Sequence, residues 1–338
     1  MTIQPPLAGK IAVSMGSPAQ DPADRPPGGA SSLAGRSGGD RLFRWVLVAA
    51  ALVAPVLLGG LLLELVKGAR PAISAYGLGF ITSSTWDPVA EQFGAWPLIV
   101  GTLLTSFIAL LLAVPLSLGV AIYLTEFAPG IIRKPVAMTI ELLAAIPSVV
   151  YGLWGIFVLI PFLTSTIYPW LQSVLGFLPI FQGPIYGPSV LSASLILTIM
   201  VMPYIMSVSR EVLLAVPNGQ REAALALGAT RWEAVTSAIV PYAKSGIIGA
   251  VILGLGRALG ETMAVTMLVG NSHDLAVSLF APGYSMAAAI ANEFSEASSE
   301  LHFAALTYVA LLLFAITVLV NAGARLLIWR MARRSGGA

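Results

Sequence analysis

Glu222-Ala-Ala-Leu-Ala-Leu-Gly228, followed by Ile239-Val-Pro241, lies between two long apolar runs of the chain. Pro217 and Asn218 open a short helix, and Gly228 offers the left-handed conformation that ends one at little cost. Thr230-Arg-Trp-Glu233 then matches a capping box, in which the Thr hydroxyl and the Glu carboxylate satisfy each other's helix-end amides. Pro241 restricts Val240, which predicts the end of a second helix there. The reading is a compact helix-turn-helix knob. Only Arg221 and Arg231 could meet phosphates and the flanks are membrane-length, so a nucleic-acid-binding helix-turn-helix is poorly supported. A plain solvated connector would need neither the small residues nor two stop signals.

Working outward, 57% of the 338 residues are hydrophobic and only 10% are charged, and the mean hydropathy is +0.87. A soluble globule carries about 25% charged residues, so the chain reads as an all-α integral membrane protein. It has no cysteine, which excludes disulfides, thiolate metal sites and cysteine nucleophiles. Residues 1–40, rich in Pro, Gly, Ser and Ala without apolar period, read as a disordered tail. No signal-peptide core precedes Leu42, and the run after it is too long for one, so a retained first helix is expected over 41–70. An outer loop at 71–97, a core at 98–330 containing the 211–243 loop, and a short tail at 331–338 complete the expected organisation.

A span of the hydrocarbon core takes about 20 apolar residues. Six segments qualify: Leu42 to Val66, Leu98 to Leu124, Val136 to Ile160, Val190 to Val208, Ile247 to Gly270 and Phe303 to Trp329. Pro55, Pro115, Pro147 and Pro203 inside them predict kinks that a membrane helix tolerates. With the N-terminus inside, 15 of the 18 Lys and Arg residues fall on the cytoplasmic side, as the positive-inside rule requires. Only Lys67 and Arg70 fall outside, and Arg257 lies within a span. Both termini and the 211–243 loop are therefore expected to be cytoplasmic. Residues 161–189, uncharged but rich in aromatics and prolines, read as an outer interfacial segment. Asp274, Glu293, Glu296 and Glu300 read as a solvated acidic outer loop, and His273 and His302 as outer-surface histidines.

Gly254-Leu-Gly-Arg-Ala-Leu-Gly-Glu261 puts two charges in the fifth span. Arg257 is expected roughly 15 Å deep, where a charge facing lipid costs about 2.5–3.5 kcal/mol even on the lenient insertion scale. Four-residue spacing puts Arg257 and Glu261 on one face, where they can pair. Gly256 and Gly260 form a GxxxG that predicts close approach of another helix. A register-fixing ion pair is one reading. The other is a pathway in which Arg257 offers its fork of donors to an anion while Glu261 holds it in place. Glu141 is a further pathway candidate, although it lies close enough to Arg133 and Lys134 to reach water at the membrane border.

The Glu-Ala-Ala, Gly and apolar-x-Pro spacing resembles the EAA loop of ABC transporter permeases. Glu141-Leu-Leu-Ala-Ala-Ile-Pro-Ser-Val-Val-Tyr-Gly152, Gly254-Leu-Gly-Arg-Ala-Leu-Gly-Glu-Thr-Met-Ala264 and Gly79-Phe-Ile-Thr-Ser-Ser-Thr-Trp-Asp-Pro88 are similar to phosphate-specific (Pst) transporter permeases, on the PstC side of the permease pair. The resemblance implies a six-helix type I importer fold and a bacterial inner-membrane location. It implies coupling to an ATPase through Glu222, Ala223, Ala224, Gly228, Ile239 and Pro241. It also implies as partners a PstA-like second permease subunit, a PstB-like ATPase dimer carrying ATP and Mg, and a PstS-like extracytoplasmic phosphate-binding protein, in membrane lipid and without nucleic acid. No cofactor, metal or catalytic residue is expected in this chain. It lacks the G-x-x-x-x-G-K-[ST] phosphate loop, and its one Gly-Lys pair, Gly9-Lys10, is followed by Ile.

Alternatives stay open from the residues. A sulfate or molybdate permease would share the EAA-like loop. A secondary transporter would use Glu261 as a proton site and leave the loop unexplained. An intramembrane enzyme lacks a His-Glu-x-x-His or Gly-x-Ser-x-Gly motif.

Overall fold

The computed structural model describes residues 38–335. The expected disordered N-terminal tail therefore lies outside the described residues, save that a helix already begins at Gly38. Two units are distinguished, Met1–Gly59 and Gly60–Ala338. Among the described residues six helical segments are long and apolar enough to cross a membrane: Leu42–Tyr76, Trp96–Phe127, Ser148–Leu175, Val190–Leu214, Arg231–Leu259 and Glu300–Leu326. At about 1.5 Å per residue, even the shortest exceeds a hydrocarbon core of about 30 Å.

Several of the expected boundaries move, at prolines and glycines. Pro147 breaks the chain rather than kinking it: a separate helix, Gly130–Ala144, ends there and the third span starts at Ser148. The third span then runs on to Leu175, absorbing half of the stretch expected as an interfacial loop. Pro241 does not stop a helix. The segment from Arg231 continues through it to Leu259, so the second arm of the knob is the base of the fifth span. The fifth span ends at Leu259, and after a break at 260–262 a short helix, Met263–Leu268, follows.

The way Pro241 is absorbed recurs. Each of the π-helical turns Tyr123–Phe127, Gly155–Leu159, Leu163–Ile167 and Val235–Ile239 ends two residues before a proline, at Pro129, Pro161, Pro169 and Pro241. In every case the residue just before the proline donates to the carbonyl five positions back, as Val240 does to Val235. Proline lacks an N–H and its ring crowds the carbonyl four residues earlier. Widening the preceding turn relieves that crowding while the remaining donors stay paired, and the helix continues past Pro161, Pro169 and Pro241, whereas at Pro129 it ends because Ala128 is extended.

The fourth span is the centre of the bundle, with 72% of its most apolar window buried against 28% for the second and fifth spans. Small residues set its packing. A Cβ on Gly246 would meet Val212 at 2.4 Å, and one on Gly254 would meet Ile205 at 2.6 Å, so the fifth span lies against the fourth through these two glycines. Gly256 and Gly260, expected to provide that approach, do not within this chain. Gly256 has Asn321 no nearer than 3.8 Å, and Gly260 forms the C-terminal cap. On the other side, Ala109, Ala113, Ile196, Leu197 and Val201 form one apolar core between the second and fourth spans, and Ser117 Oγ donates to the Met202 carbonyl at 3.1 Å.

Between the first and second spans the chain makes a two-stranded antiparallel hairpin, Trp86–Asp87 with Gln92–Phe93. Asp87 Oδ1 accepts from the N–H groups of Val89 and Ala90, an Asx turn that sets the bend. Phe80, Phe93, Tyr284 and Tyr308 gather beneath it in a second core. Gly101 lets the second span approach the Tyr284 backbone, where a Cβ would lie 1.9 Å from the carbonyl oxygen.

Candidate functional site

The loop between the fourth and fifth spans is built much as its residues dictate. A helix covers Asn218–Ala226. Gly228, at φ +88°, donates to the Leu225 carbonyl and Ala229 to that of Ala224, the two bonds of a Schellman motif. Thr230 and Glu233 form the capping box: Thr230 N–H donates to Glu233 Oε2 at 2.7 Å, and Glu233 N–H to Thr230 Oγ1 at 3.3 Å. Glu222, Ala223 and Gly228 are exposed and Ala224 is half-buried, while Leu227 at 90% and Trp232 at 60% exposure stand out from the surface. Pro241 is exposed as well. Ile239, expected on this surface, is instead buried among Leu124, Ile140, Leu213 and Val235. It packs the loop against the bundle.

Arg257 and Glu261 come together on a different footing from the one expected. Both were expected along a continuous helix, but Arg257 is in its last turn and Glu261 in the break that follows. Arg257 Nη2 lies 3.5 Å from Glu261 Oε2, an ion-pair distance too long for a good hydrogen bond. The Glu261 side chain is 4% exposed and that of Arg257 38%. Arg257 Cζ also sits 5.2 Å from the centroid of the Tyr204 ring, a cation–π contact.

Tyr204 belongs to a larger arrangement around the Pro147 break. Its hydroxyl donates to the Ala144 carbonyl at 3.0 Å, and the Tyr151 hydroxyl donates to that of Leu143 at 2.8 Å. The Ala144 carbonyl at the end of the Gly130–Ala144 helix thereby gains a donor, and the Leu143 carbonyl gains another beside the Ile146 N–H. The 141–152 and 254–264 motifs thus meet through Tyr204, which no spacing in the sequence announces. Glu141 is not part of this contact. It is exposed and borders a small cleft with Ser207 and Arg210, away from Arg257 in the bonding network.

Of two further carboxylates, the sequence reading overlooks Glu126 and misplaces Glu293. Glu126, at the end of the second span, receives Arg221 across 95 positions of sequence, with Nη2 donating to Oε1 at 2.9 Å. At the hairpin end, Glu293 is no solvated loop residue. Trp86 Nε1 donates to its Oε2 at 2.8 Å, and the Nε2 atoms of His273 and His302 lie 3.2 and 3.4 Å from its two oxygens. His302 is buried, and the two imidazoles stack on Phe93 and Trp86. Burial works to raise the Glu293 carboxyl, but His273, Trp86 and His302 outweigh it and hold the group below the usual carboxylate range. Burial holds the neighbouring Tyr284 hydroxyl well above the ordinary phenol range. Glu293, His273, His302 and the Trp86 of the 79–88 motif are each legible in the sequence, but nothing in their spacing shows that they meet.

Residues 113–333 match the protein family described as binding-protein-dependent transport system inner membrane component. The phosphate transport system permease protein PstC of Mesorhizobium japonicum is 46% identical over 88% of this chain and 92% of its own. That of Haemophilus influenzae is 47% identical over 88% and 95%. Among solved structures, a subunit of a bacterial alginate ABC transporter, in complex with alginate pentasaccharide-bound periplasmic protein, aligns with a TM-score of 0.57. It covers 90% of this chain and 99% of its own at 17% identity, a likeness of fold. A chain of the inward-facing MetNI methionine ABC transporter aligns at 0.52 over 73% and 99%, again at 17% identity.

Proposed function

Since this chain belongs to the binding-protein-dependent inner membrane components and, among them, to the PstC phosphate transport permeases, we propose that it forms one half of the translocation path of an ATP-driven phosphate importer. It is a multi-pass membrane subunit and a transporter component, not an enzyme. ATP, with Mg, is bound and hydrolysed on a separate ATPase dimer seated against the 218–241 loop. A second permease subunit completes the path, and an extracytoplasmic phosphate-binding protein delivers the anion. The termini and the loop face the cytoplasm, in keeping with the distribution of Lys and Arg.

The observation that carries this reading is the loop. It is closed at both turns by backbone and side-chain caps, yet the helix Asn218–Ala226 buries no residue of its own, and Leu227 stands exposed with its apolar surface unspent. A segment so firmly folded and so little packed has the form of a docking element.

Arg257 and Glu261 are the pathway groups. The half-exposed guanidinium offers donors to an oxyanion, and the buried carboxylate keeps it oriented. Monohydrogen phosphate carries an O–H that Glu261 accepts, whereas sulfate has none near neutral pH and is repelled. Glu141 stands closer to the loop end of the path.

Reconstitution of the four-component complex in liposomes tests the proposal. Phosphate presented by the binding protein should stimulate ATP hydrolysis and accumulate inside, with sulfate as control. Uptake driven by a pH gradient without ATP, or equal stimulation by sulfate, would sink it. Glu261→Gln should erode the preference for phosphate over sulfate.

A further inference from the structure

The helix Asn218–Ala226 has nine residues, too few to hold together alone in water, and no apolar face buried in the bundle. Arg221 supplies a polar grip instead. Its Nε lies 3.3 and 3.2 Å from the two oxygens of Glu126, and Nη2 donates to Oε1 at 2.9 Å. Nη2 also donates to the Leu213 carbonyl at 2.9 Å, and Nη1 to Val216 at 2.6 Å and to Asn218 Oδ1 at 3.4 Å. Leu213 lies in the last turn of the fourth span and Val216 just beyond its cap, and the Leu213 carbonyl also accepts from the Val216 N–H at 3.3 Å. Glu126 sits in the π turn that closes the second span. One side chain therefore joins three elements.

From this geometry we infer that Arg221 and Glu126 form a positioning clamp that carries displacement of the loop helix to the second and fourth spans, staying closed through the transport cycle. The inference rests on the proposed ATPase coupling. Covalent continuity takes motion of the loop directly into the fifth span, because the chain from Arg231 to Leu259 is one helix. Nothing covalent takes it forward to the second span, ninety-five residues away from Arg221. The bidentate contact does so, and its rigidity comes from burial: the side chains are 20% and 12% exposed. A guanidinium whose donors are spent on a carboxylate and helix-end carbonyls has one arrangement, where a lone exposed pair would have many.

The test is the number of phosphates transported per ATP hydrolysed by the reconstituted complex. Glu126→Gln and Arg221→Lys should each leave ATP hydrolysis within about twofold of the unaltered complex and lower transport about tenfold or more, so that the ratio collapses. An unchanged ratio, whether both rates persist or both fall together, overturns the clamp. Since the natural chain has no cysteine, the double variant E126C/R221C can be bridged by a short bifunctional thiol reagent. Bridging should restore the ratio that the unbridged variant loses, and failure to restore it also overturns the inference. If the unaltered complex shows no ATP-driven phosphate uptake, it is the proposed function that fails, before the clamp is reached.

Discussion

Among the described residues three arginines pair with glutamates, and two of those pairs, Arg221 with Glu126 and Arg257 with Glu261, spend their donors differently. At the loop end Arg221 makes contacts with both oxygens of Glu126, two backbone carbonyls and an asparagine. At the helix break Arg257 has one long contact with Glu261 and an aromatic ring beneath it. A hydrogen bond to a charged group contributes about 1.5–3 kcal/mol, so a saturated guanidinium has little to gain from a new ligand. An unsaturated one has much to gain. The same two residue types therefore serve as a fastening in one place and as a receptor in the other, and the count of unspent donors separates the roles better than burial does.

The largest effect that could break this contrast is at Arg257. Arg257→Ala should lower phosphate uptake about 100-fold or more, the scale of losing one preorganised donor to an anion, while the complex still assembles. Uptake within a few-fold of normal would make the second pair as structural as the first.

Glu293 sharpens the contrast, because it is a third carboxylate and belongs with the fastenings. Glu293→Ala leaves the Trp86 indole N–H without its acceptor and should cost about 2–3 kcal/mol, read as a fall in the thermal midpoint of the detergent-solubilised protein, with phosphate transported per ATP unchanged. Its lowered pKa fixes the sign of the pH effect. The stabilisation is full above about pH 4.3, the ordinary glutamate value, and is lost as pH falls through the depressed value in the folded protein. Glu293→Gln should flatten that acid limb, and a limb of unchanged slope would remove Glu293 from the set of fastenings.

Arg257 can be called poised only if the helix carrying it is itself fixed. Gly254→Val should cost about 1–3 kcal/mol by overpacking against Ile205, whereas Gly256→Ala, whose added Cβ would meet Asn321 only at an ordinary contact distance of 3.8 Å, should stay within about 0.5 kcal/mol. Equal thermal midpoints for the two variants would mean that the fifth span is loosely held and that the long Arg257 contact reflects mobility. The smallest effect concerns the loop alone. Thr230→Ala removes the capping box and should cost about 1 kcal/mol without altering the transport-to-hydrolysis ratio, since the clamp lies on the other side of Gly228.

Much of the loop was legible in advance because its signals are local. A Gly at φ +88° and a Thr and Glu three residues apart act within one turn of chain, so residue type and spacing suffice. Six apolar lengths were equally readable, because crossing hydrocarbon is a matter of composition. The prolines misled. Pro241 was expected to end a helix and Pro147 to bend one, and the outcome was reversed, since a preceding π turn absorbs the first while the second follows a helix whose end carbonyls find tyrosine hydroxyls. Pattern alone does not tell which neighbours will satisfy a freed carbonyl.

What the sequence by itself determined is the class, the number of spans, the capped loop and the presence of Arg257 and Glu261 four residues apart, all consequences of hydropathy and of interactions within a turn or two. What the tertiary structure decided is partnership. Glu126 finds Arg221, Glu293 finds Trp86 and two histidines, Tyr204 bridges two motifs, and Gly254 rather than Gly256 meets the fourth span. These contacts join positions from nine to 207 residues apart, and a charge or a glycine carries no mark of which surface will close over it.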